Sequence, residues 1–248
     1  MSPPGTQPSH ALCRRSLLSC CARSFVQLSA WPDGDRGYIT ALRQAQLAAL
    51  RLNRTGMAVS ADRSDPSGMW HPVHPPWKQD IAARLLMEAQ RLGVQQPPNA
   101  SHALRRPELT GVTKDEWNPG WRDYHFGYGS VGGICSQKPA PCFGLRLTFD
   151  APLEITGASA AERWRGAPSG FELGDSSGVQ WQPVTLLGLR DANRTVQLNA
   201  TFAPFQAPTN GSAPPTPARL RYAWHDYPTM VLYSAASGRP VAPFSVAI

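Results

Sequence analysis

Two histidines and two aspartates lie close together in a short stretch rich in proline, serine and glycine. Asp62, Asp65, His71 and His74 fall within 13 residues. A histidine that titrates near neutral pH takes a proton from a nucleophile and returns it to a leaving group. A carboxylate behind the ring would fix its tautomer and stabilise the imidazolium. Prolines beside the histidines stiffen the backbone, as a positioned base requires. This stretch is therefore the candidate site for acid–base chemistry.

The residue pattern alone leaves other interpretations of this stretch open. Both histidines are equally consistent with ordinary loop residues that hydrogen-bond to backbone. His71 and His74 also have the His-x-x-His spacing that binds zinc, but no helix spans the pair and no third ligand is evident. We therefore predict no metal. Trp70 stands beside His71, and an indole ring there is suited to line a pocket.

Two kinds of periodicity surround the stretch. Residues 24–29 and 56–61 are short apolar runs that predict buried strands. Residues 38–52 carry apolar side chains at i, i+3, i+4 and i+7, which predicts an amphipathic helix. Residues 77–93 repeat that spacing, with prolines before them and a glycine at the end. Strand, helix, strand, loop and helix is typical of an α/β layer, where ligands bind at the carboxyl ends of strands.

The pattern changes at residue 95. The segment QQPPNASH is typical of a linker, and beyond about residue 126 the helical period gives way to short apolar, β-branched or aromatic runs. Such runs between turns predict an all-β sandwich or jelly-roll-like domain. We predict an unassigned segment over 1–23, an α/β unit over 24–98, a linker over 99–125 and a β-sandwich-like domain over 126–248.

Composition narrows the range of partners. The chain has 248 residues, of which 42% are hydrophobic. No apolar stretch approaches the roughly 20 residues that a membrane span needs. The net charge of +7 would suit an anionic partner. Without a basic run or a basic patch interleaved with aromatic residues, a nucleic-acid partner is not predicted. A solvated arginine-rich surface accounts for the charge.

Cysteines and glycosylation sequons bear on the compartment. Cys135 and Cys142 flank a loop with two prolines and are able to close a small disulfide, although their spacing alone does not establish the pairing. Several Asn-x-Ser/Thr sequons are present, three of them crowded near a β-rich segment. They indicate the secretory pathway, with a lysosomal or extracellular destination, although the N-terminal segment is a poor signal peptide. The sequons are at Asn53, Asn99, Asn193, Asn199 and Asn210.

Motifs in both halves of the chain carry a resemblance. The first half shows VQL, a helix with RQAQ, then TGMAV, an acidic loop and HPPWKQDIAARL; the second ends in RYAWHDYP and LYSAASGRPVAPF. In this order they resemble the sialate O-acetylesterase family of SGNH-type hydrolases, over residues 24–92 and about 143–246. The resemblance implies a partial SGNH-hydrolase-like three-layer α/β unit followed by an all-β sandwich-like domain. It also implies that His74 is the catalytic base and that no metal or organic cofactor is needed.

Two departures from the family's pattern shape the expected activity. The family's serine lies in a GQSN-type block far upstream of the His-Pro pair, and no such block occurs here. SGNH hydrolases usually place the acid three residues before the histidine, where this chain has His71. Asp65, the nearest acid upstream, is predicted to take that role, with Asp62 behind it. Trp70 and His71 are predicted to contact the substrate.

The expected function follows from these residues. We predict the C-terminal portion of an esterase that hydrolyses O-acetyl esters of sialic acid or related sugars, inactive or nearly so without its serine. One alternative is a catalytically inactive glycan-binding or structural remnant of that family. Another, independent of the resemblance, is a secreted β-sandwich adhesion module.

Overall fold

The computed structural model describes residues 22–31, 37–65, 74–93, 106–115, 142–156, 169–201 and 216–248. Elements with parallel strands and helices come first, and antiparallel strands follow. In chain order the first group is β1 (Arg23–Val26), α1 (Tyr38–Ala48) with a 3-10 turn at Ala49–Arg51, β2 (Thr55–Ala58) and α2 (Lys78–Arg91). No helix in these ranges is long and apolar enough to cross a bilayer.

The first group forms a small α/β unit. Strands β1 and β2 pair in parallel, from Arg23 opposite Thr55 to Val26 opposite Ala58. Every residue of β2 is buried, whereas β1 is largely exposed. Helix α2 packs on both strands. The contact is close at Gly56, where a Cβ atom would lie only 2.6 Å from Oε2 of Glu88.

The antiparallel strands make two four-stranded sheets and one small pair. One sheet has the order β3–β4–β9–β8, the other β12–β10–β6–β7, and β5 pairs with β11. The bounds are β3 (Leu109–Asp115), β4 (Cys142–Phe149), β5 (Leu153–Ile155), β6 (Phe171–Asp175), β7 (Trp181–Pro183), β8 (Thr185–Arg190), β9 (Thr195–Thr201), β10 (Pro217–Tyr222), β11 (Leu232–Ser234) and β12 (Phe244–Ala247).

Alternate residues of the two large sheets share one hydrophobic core. Leu145 and Leu147 of β4 lie in the same buried cluster as Phe171 and Leu173 of β6. In a β-sandwich every second residue of a strand faces the core between the sheets, and this burial pattern matches that arrangement. The core is completed by Tyr222, whose hydroxyl accepts hydrogen bonds from the backbone N–H groups of Val231 and Leu232 at 2.9 and 2.8 Å. Burial raises the pKa of Tyr222, so this hydroxyl stays neutral.

A buried arginine on α1 joins the two parts of the molecule. Arg43 is 1% exposed. Its guanidinium donates to the carbonyls of Leu28 and Ser29 after β1, at 2.8 and 2.6 Å. It also donates to the carbonyls of His225 and Asp226 after β10, at 2.8 and 2.9 Å. Burial lowers the pKa of Arg43 to about 10, against the opposing effect of Asp226, so the side chain remains charged at neutral pH.

The RYAWHDYP segment therefore connects the sandwich to the α/β unit. The Asp226 carboxylate accepts from the backbone N–H and the hydroxyl of Thr40 at 3.1 and 3.3 Å, and the Asp226 carbonyl accepts from the N–H of Trp31 at 2.9 Å. Earlier in the segment, Arg221 donates to Glu172 at 2.7 Å. Burial alone would raise the pKa of Glu172, but hydrogen bonds from His225 and Arg221 lower it overall.

The structure agrees in outline with the predicted mixture of an α/β unit and antiparallel sheets. Helices predicted at 38–52 and 77–93 are present as α1 with its 3-10 turn and as α2. The stretch 99–125, predicted to be a linker, contains strand β3, so part of it belongs to the sandwich. The apolar run 179–189 is two strands, β7 and β8, which lie in different sheets.

Some sequence features fall partly outside the described residues. Asn53 and Asn193 are exposed, and Asn199 lies within β9. Asn99, Asn210 and Cys135 lie outside the described residues, so the proposed pairing of Cys135 with Cys142 stays a prediction.

Candidate functional site

The candidate site lies at the carboxyl edge of the β1–β2 pair. Beyond β2 the chain continues through Val59 and Ser60 into the acidic loop, and beyond β1 it continues alongside as Gln27 to Trp31. The backbone N–H of Gln27 donates to the Ala58 carbonyl at 2.8 Å, so the two chains stay together past the last paired residues. The described part of the loop therefore begins where an α/β sheet places its ligands.

Two buried serines hold together the chain segments that follow β1 and β2. The hydroxyls of Ser29 and Ser60 lie 2.8 Å apart. Ser60 also donates to the Gln27 carbonyl at 2.5 Å, and Ser29 to the Ser60 carbonyl at 3.3 Å. Both residues are buried, with exposures of 5% and 0%. Since each hydroxyl is engaged with the other and with backbone, these serines hold the two chain segments together and are not placed to attack a substrate.

Asp62 is a buried anchor for the loop. Its side chain is 4% exposed and forms a two-point ion pair with Arg84 of α2, with both N–O distances at 2.7 Å. Arg84 also donates to the Val59 carbonyl at 2.7 Å. Paired N–H···O bonds of this kind fix direction as well as distance. Asp62 thus ties the start of the loop to the helix that follows the loop.

Tyr233 reaches Asp62 from the β-domain. Its hydroxyl lies 3.4 Å from the second Asp62 oxygen. Burial, together with the negative charge of Asp62, raises the pKa of Tyr233 to about 12. The hydroxyl is therefore protonated at neutral pH and is the donor in this contact. Residues from β11 and from α2 thus converge on one carboxylate.

The outer side of the loop is open to solvent. Arg63 forms an ion pair with Asp80, in the first turn of α2, at 3.1 Å; their side chains are 40% and 50% exposed. His74 is exposed and lies four positions before α2 begins. Asp65 is half-buried and ends the described stretch after β2. Asp65 and His74, the two residues predicted to be catalytic, are therefore the described residues on either side of positions 66–73.

The remaining predicted site residues, Trp70 and His71, lie outside the described residues. Among the described residues, no group of three His, Cys, Asp or Glu side chains is arranged to hold a metal ion.

Sequence reasoning missed Arg84 and Tyr233. They stand 22 and 171 positions from Asp62, so nothing in the local pattern around the loop points to them. A weak signal exists for Arg84 alone. Arg84 stands on the apolar face of an amphipathic helix, the face that packs on the sheet. A charged residue there needs a partner of opposite charge nearby, because charged side chains are rarely buried unpaired.

Comparison with known proteins finds similarity to solved structures. No protein-family model and no curated protein matches this sequence. A crystal structure of a carbohydrate acetylesterase from Xanthomonas citri has the same fold, with a TM-score of 0.56 and 20% sequence identity. The match covers 90% of this chain and 40% of that one. This chain therefore has the fold of part of that acetylesterase and spans about two fifths of its length.

Proposed function

We propose that this chain is the C-terminal portion of a carbohydrate O-acetylesterase whose substrates are O-acetylated sialic acids or related sugars. The observation that carries the proposal is the position of the acidic, histidine-bearing loop. It follows β2 at the carboxyl edge of a parallel strand pair, in a chain with the fold of part of a carbohydrate acetylesterase. The motif resemblance supports the narrower choice of sialate esters.

In the proposed reaction His74 is the general base. Its imidazole takes the proton of a serine hydroxyl as the serine oxygen bonds to the acetyl carbonyl carbon. The tetrahedral intermediate collapses, the sugar oxygen leaves with the proton from His74, and the acetyl group stays on serine. A water molecule then repeats the sequence and releases acetate. Backbone N–H donors around the oxyanion would contribute about 3 kcal/mol each.

Asp65 is proposed to orient His74. Asp62 is already engaged by Arg84 and Tyr233, and a carboxylate held in a two-point ion pair is a poor partner for an imidazole that must gain and lose charge. Asp65 bounds the same loop and is half-buried. The Asp62–Arg84 pair then acts as a positioning contact that holds the loop against α2.

The attacking serine is proposed to come from polypeptide outside this sequence, since no GQSN-type block occurs in it. The test compares this chain with the longer protein encoded by extending its reading frame upstream. Acetate release from an O-acetylated sialic acid is measured for both. We expect the chain alone to match the buffer rate. We expect the longer protein to turn over and His74→Ala to lower its kcat about 10⁴-fold.

His71→Ala is the matched comparison. Because His71 is proposed to contact the substrate, its loss should raise KM and leave kcat within a fewfold. Unchanged kcat in the His74→Ala form of the longer protein would refute the assigned base. His74-dependent turnover by the chain alone would instead place the nucleophile inside this sequence.

The missing serine block also supports a second candidate, a glycan-binding remnant with no catalysis. An upstream reading frame without a serine block, combined with binding of an acetylated sugar and no acetate release, would favour that candidate.

A further inference from the structure

The two-stranded parallel sheet of the α/β unit has two outer edges, one along β1 and one along β2. The backbone N–H groups of Arg23 and Gln27 donate to the carbonyls of Arg54 and Ala58, at 2.9 and 2.8 Å. Successive residues of a strand turn their N–H and C=O groups to opposite sides. Odd-numbered residues of β1 therefore face β2, even-numbered residues of β2 face β1, and the other residues of each strand face outward.

Arginine side chains close the outer edge along β2. Each outward-facing carbonyl from Thr55 to Val59 accepts a hydrogen bond from a guanidinium group, two of them from α2. The contacts are Arg91 to Thr55 at 3.2 Å, Arg239 to Met57 at 3.5 Å and Arg84 to Val59 at 2.7 Å. These side chains occupy the positions that a further strand would need, and charged groups at a sheet edge prevent its extension. The sheet therefore ends at β2.

The outer edge along β1 is closed at its C-terminal end alone. The side-chain amide of Gln46 on α1 donates to the Val26 carbonyl at 3.2 Å and accepts from the N–H of Leu28 at 2.9 Å. One amide group thus pairs with two backbone groups, as a neighbouring strand does. Nearer the start of β1, the N–H and C=O of Ser24 and the N–H of Val26 also face outward. Within the described residues no hydrogen bond reaches these three groups.

Burial also distinguishes the two strands. Every residue of β2 is buried, whereas Ser24 and Val26 of β1 are exposed. Parallel sheets are normally covered on both faces, and their strands are buried. The exposed strand of this pair is the one whose edge is not closed by arginines. Both observations indicate that β1 lacks a neighbour.

The candidate catalytic edge specifies the direction of that neighbour. The acidic loop follows β2 at the carboxyl edge of the sheet, where α/β proteins place their ligands. A polypeptide that completes this site must bring its own strands to the same edge, so its strands run parallel to β1. In the proposed esterase the missing component is the serine, and this chain spans about two fifths of the acetylesterase whose fold it shares.

We propose that the open edge of β1, residues 24–26, is the docking site for a parallel strand of the polypeptide that carries the serine. The docked strand accepts hydrogen bonds from the N–H groups of Ser24 and Val26 and donates one to the Ser24 carbonyl. Strand addition of this kind gains its affinity from main-chain hydrogen bonds. The choice of occupant rests on the proposed esterase function, whereas the open edge is a feature of this chain alone.

Hydrogen exchange resolved to single amides tests the docking. It is measured on this chain and on the longer protein encoded by extending its reading frame upstream. We expect the Ser24 and Val26 amides to exchange rapidly in the chain and at least about 100-fold more slowly in the longer protein. The Gln27 amide, bonded to Ala58, is the internal control and should be slow in both. Fast exchange of Ser24 and Val26 in the longer protein would overturn the proposal, as would slow exchange in the chain alone.

Proline substitutions test the same edge through stability. Ser24→Pro removes an outward N–H and leaves the bonds between β1 and β2 intact. It should lower the Tm of this chain by less than about 2 °C and that of the longer protein by at least about 5 °C. Phe25→Pro is the contrasting variant, because its N–H faces β2, and it should lower the Tm of both proteins. Equal losses for Ser24→Pro in the two proteins would contradict the docking.

A second copy of this chain is the competing occupant, and sedimentation equilibrium excludes or establishes it. We expect a monomer. A dimer that Ser24→Pro converts to a monomer would assign the open edge to self-association and overturn the proposed occupant. Hydrogen exchange requires no acetate release, so the two proposals fail separately. Protected amides in a longer protein without turnover would refute the esterase alone, and turnover with unprotected amides would refute the docking site alone.

Discussion

At the residue scale, several buried charges of this chain are paired with opposite charges. Asp62 is bound by Arg84, and Glu88 by Arg91 and Arg239. The Asp62–Arg84 and Glu88–Arg239 pairs link segments that are distant in the sequence, whereas Glu88 and Arg91 lie one turn apart on α2. Burying a lone charge costs several kcal/mol, so each partner is needed for the other to be inside the protein. For the candidate site the consequence is that Asp62 is committed to holding the start of the loop against α2, which is why the proposed catalytic role is given to Asp65.

The Asp62–Arg84 pair can be tested by changing one arginine at a time. Arg84→Met leaves the Asp62 carboxylate, 4% exposed, without its main partner and should lower the free energy of unfolding by about 3–5 kcal/mol. Arg63→Met is the matched control. Its pair with Asp80 is exposed on both sides and its own contact with Asp62 is long, at 3.8 Å, so the loss should be at most about 1 kcal/mol. Urea denaturation of the two variants measures both values, and equal losses would contradict the anchoring role.

The sequence predicted the loop but not the residues that hold it. The local pattern suggested Asp65 and His74 as candidates, because acid–base chemistry uses a recognisable set of residue types near the end of a strand, and their catalytic roles stay a prediction. Arg84 and Tyr233 were not, since a long-range contact leaves no local pattern. The buried Nε of Arg54 and hydroxyl of Thr55, which lack hydrogen-bond partners among the described residues, were equally hidden, because tertiary packing decides whether a buried polar group has a partner.

At the scale of elements, the packing of α2 on β2 fixes the surroundings of both ends of β2. One end of α2 carries Asp80 beside the acidic loop, and the other carries Glu88 and Arg91 in the wall of a cleft at the start of β2. Gly56, in the middle of this contact, permits the approach, since any Cβ there would meet Glu88. A shift of the helix would therefore disturb both ends at once.

Gly56→Ala tests this contact. The added methyl group would lie 2.6 Å from Oε2 and 2.9 Å from Cβ of Glu88, so the helix must move, at a cost of at least about 2 kcal/mol in the free energy of unfolding. Gly111→Ala on β3 is the control, because nothing lies within 4 Å of its added atom. That variant should be unchanged or more stable by up to about 0.5 kcal/mol. Thermal denaturation compares them, and equal stability would mean that α2 tolerates displacement.

Helices and strands were predictable where one of their faces is well buried, and less predictable where a strand lies at the edge of a sheet. The helical spacing of α1 and α2 is unambiguous because each buries one face. Strand β3 lies at the edge of its sheet, and its exposed Thr113 and Lys114 dilute the apolar signal, so the stretch was predicted to be a linker. Apolar content also does not reveal which sheet a residue joins, since within the apolar run 179–189 the strands on either side of Val184 have different partners.

At the scale of the whole molecule, the α/β unit and the sandwich depend on each other. The small core of Met57, Val59 and Ala61 is covered in part by Met230 and Ala242 from the second half of the chain. Arg239 and Asp226 cross the same boundary to reach Glu88 and Thr40. Apolar contact and paired charge thus act together, and the predicted domain limits of 24–98 and 126–248 do not mark units that are independent in their contacts.

The last prediction concerns the α/β unit on its own. A fragment of residues 24–98 would lose the Met230 and Ala242 cover and leave Glu88 without Arg239, while the edge of its two-stranded sheet stays open to other chains. We expect it to aggregate and to show no cooperative melting transition, whereas the whole chain melts cooperatively. Size-exclusion chromatography and calorimetry of both proteins at equal concentration measure this. A monomeric fragment with a sharp transition would show that the contacts across the boundary are dispensable, and the loop bearing His74 would then be held by β2 and α2 alone.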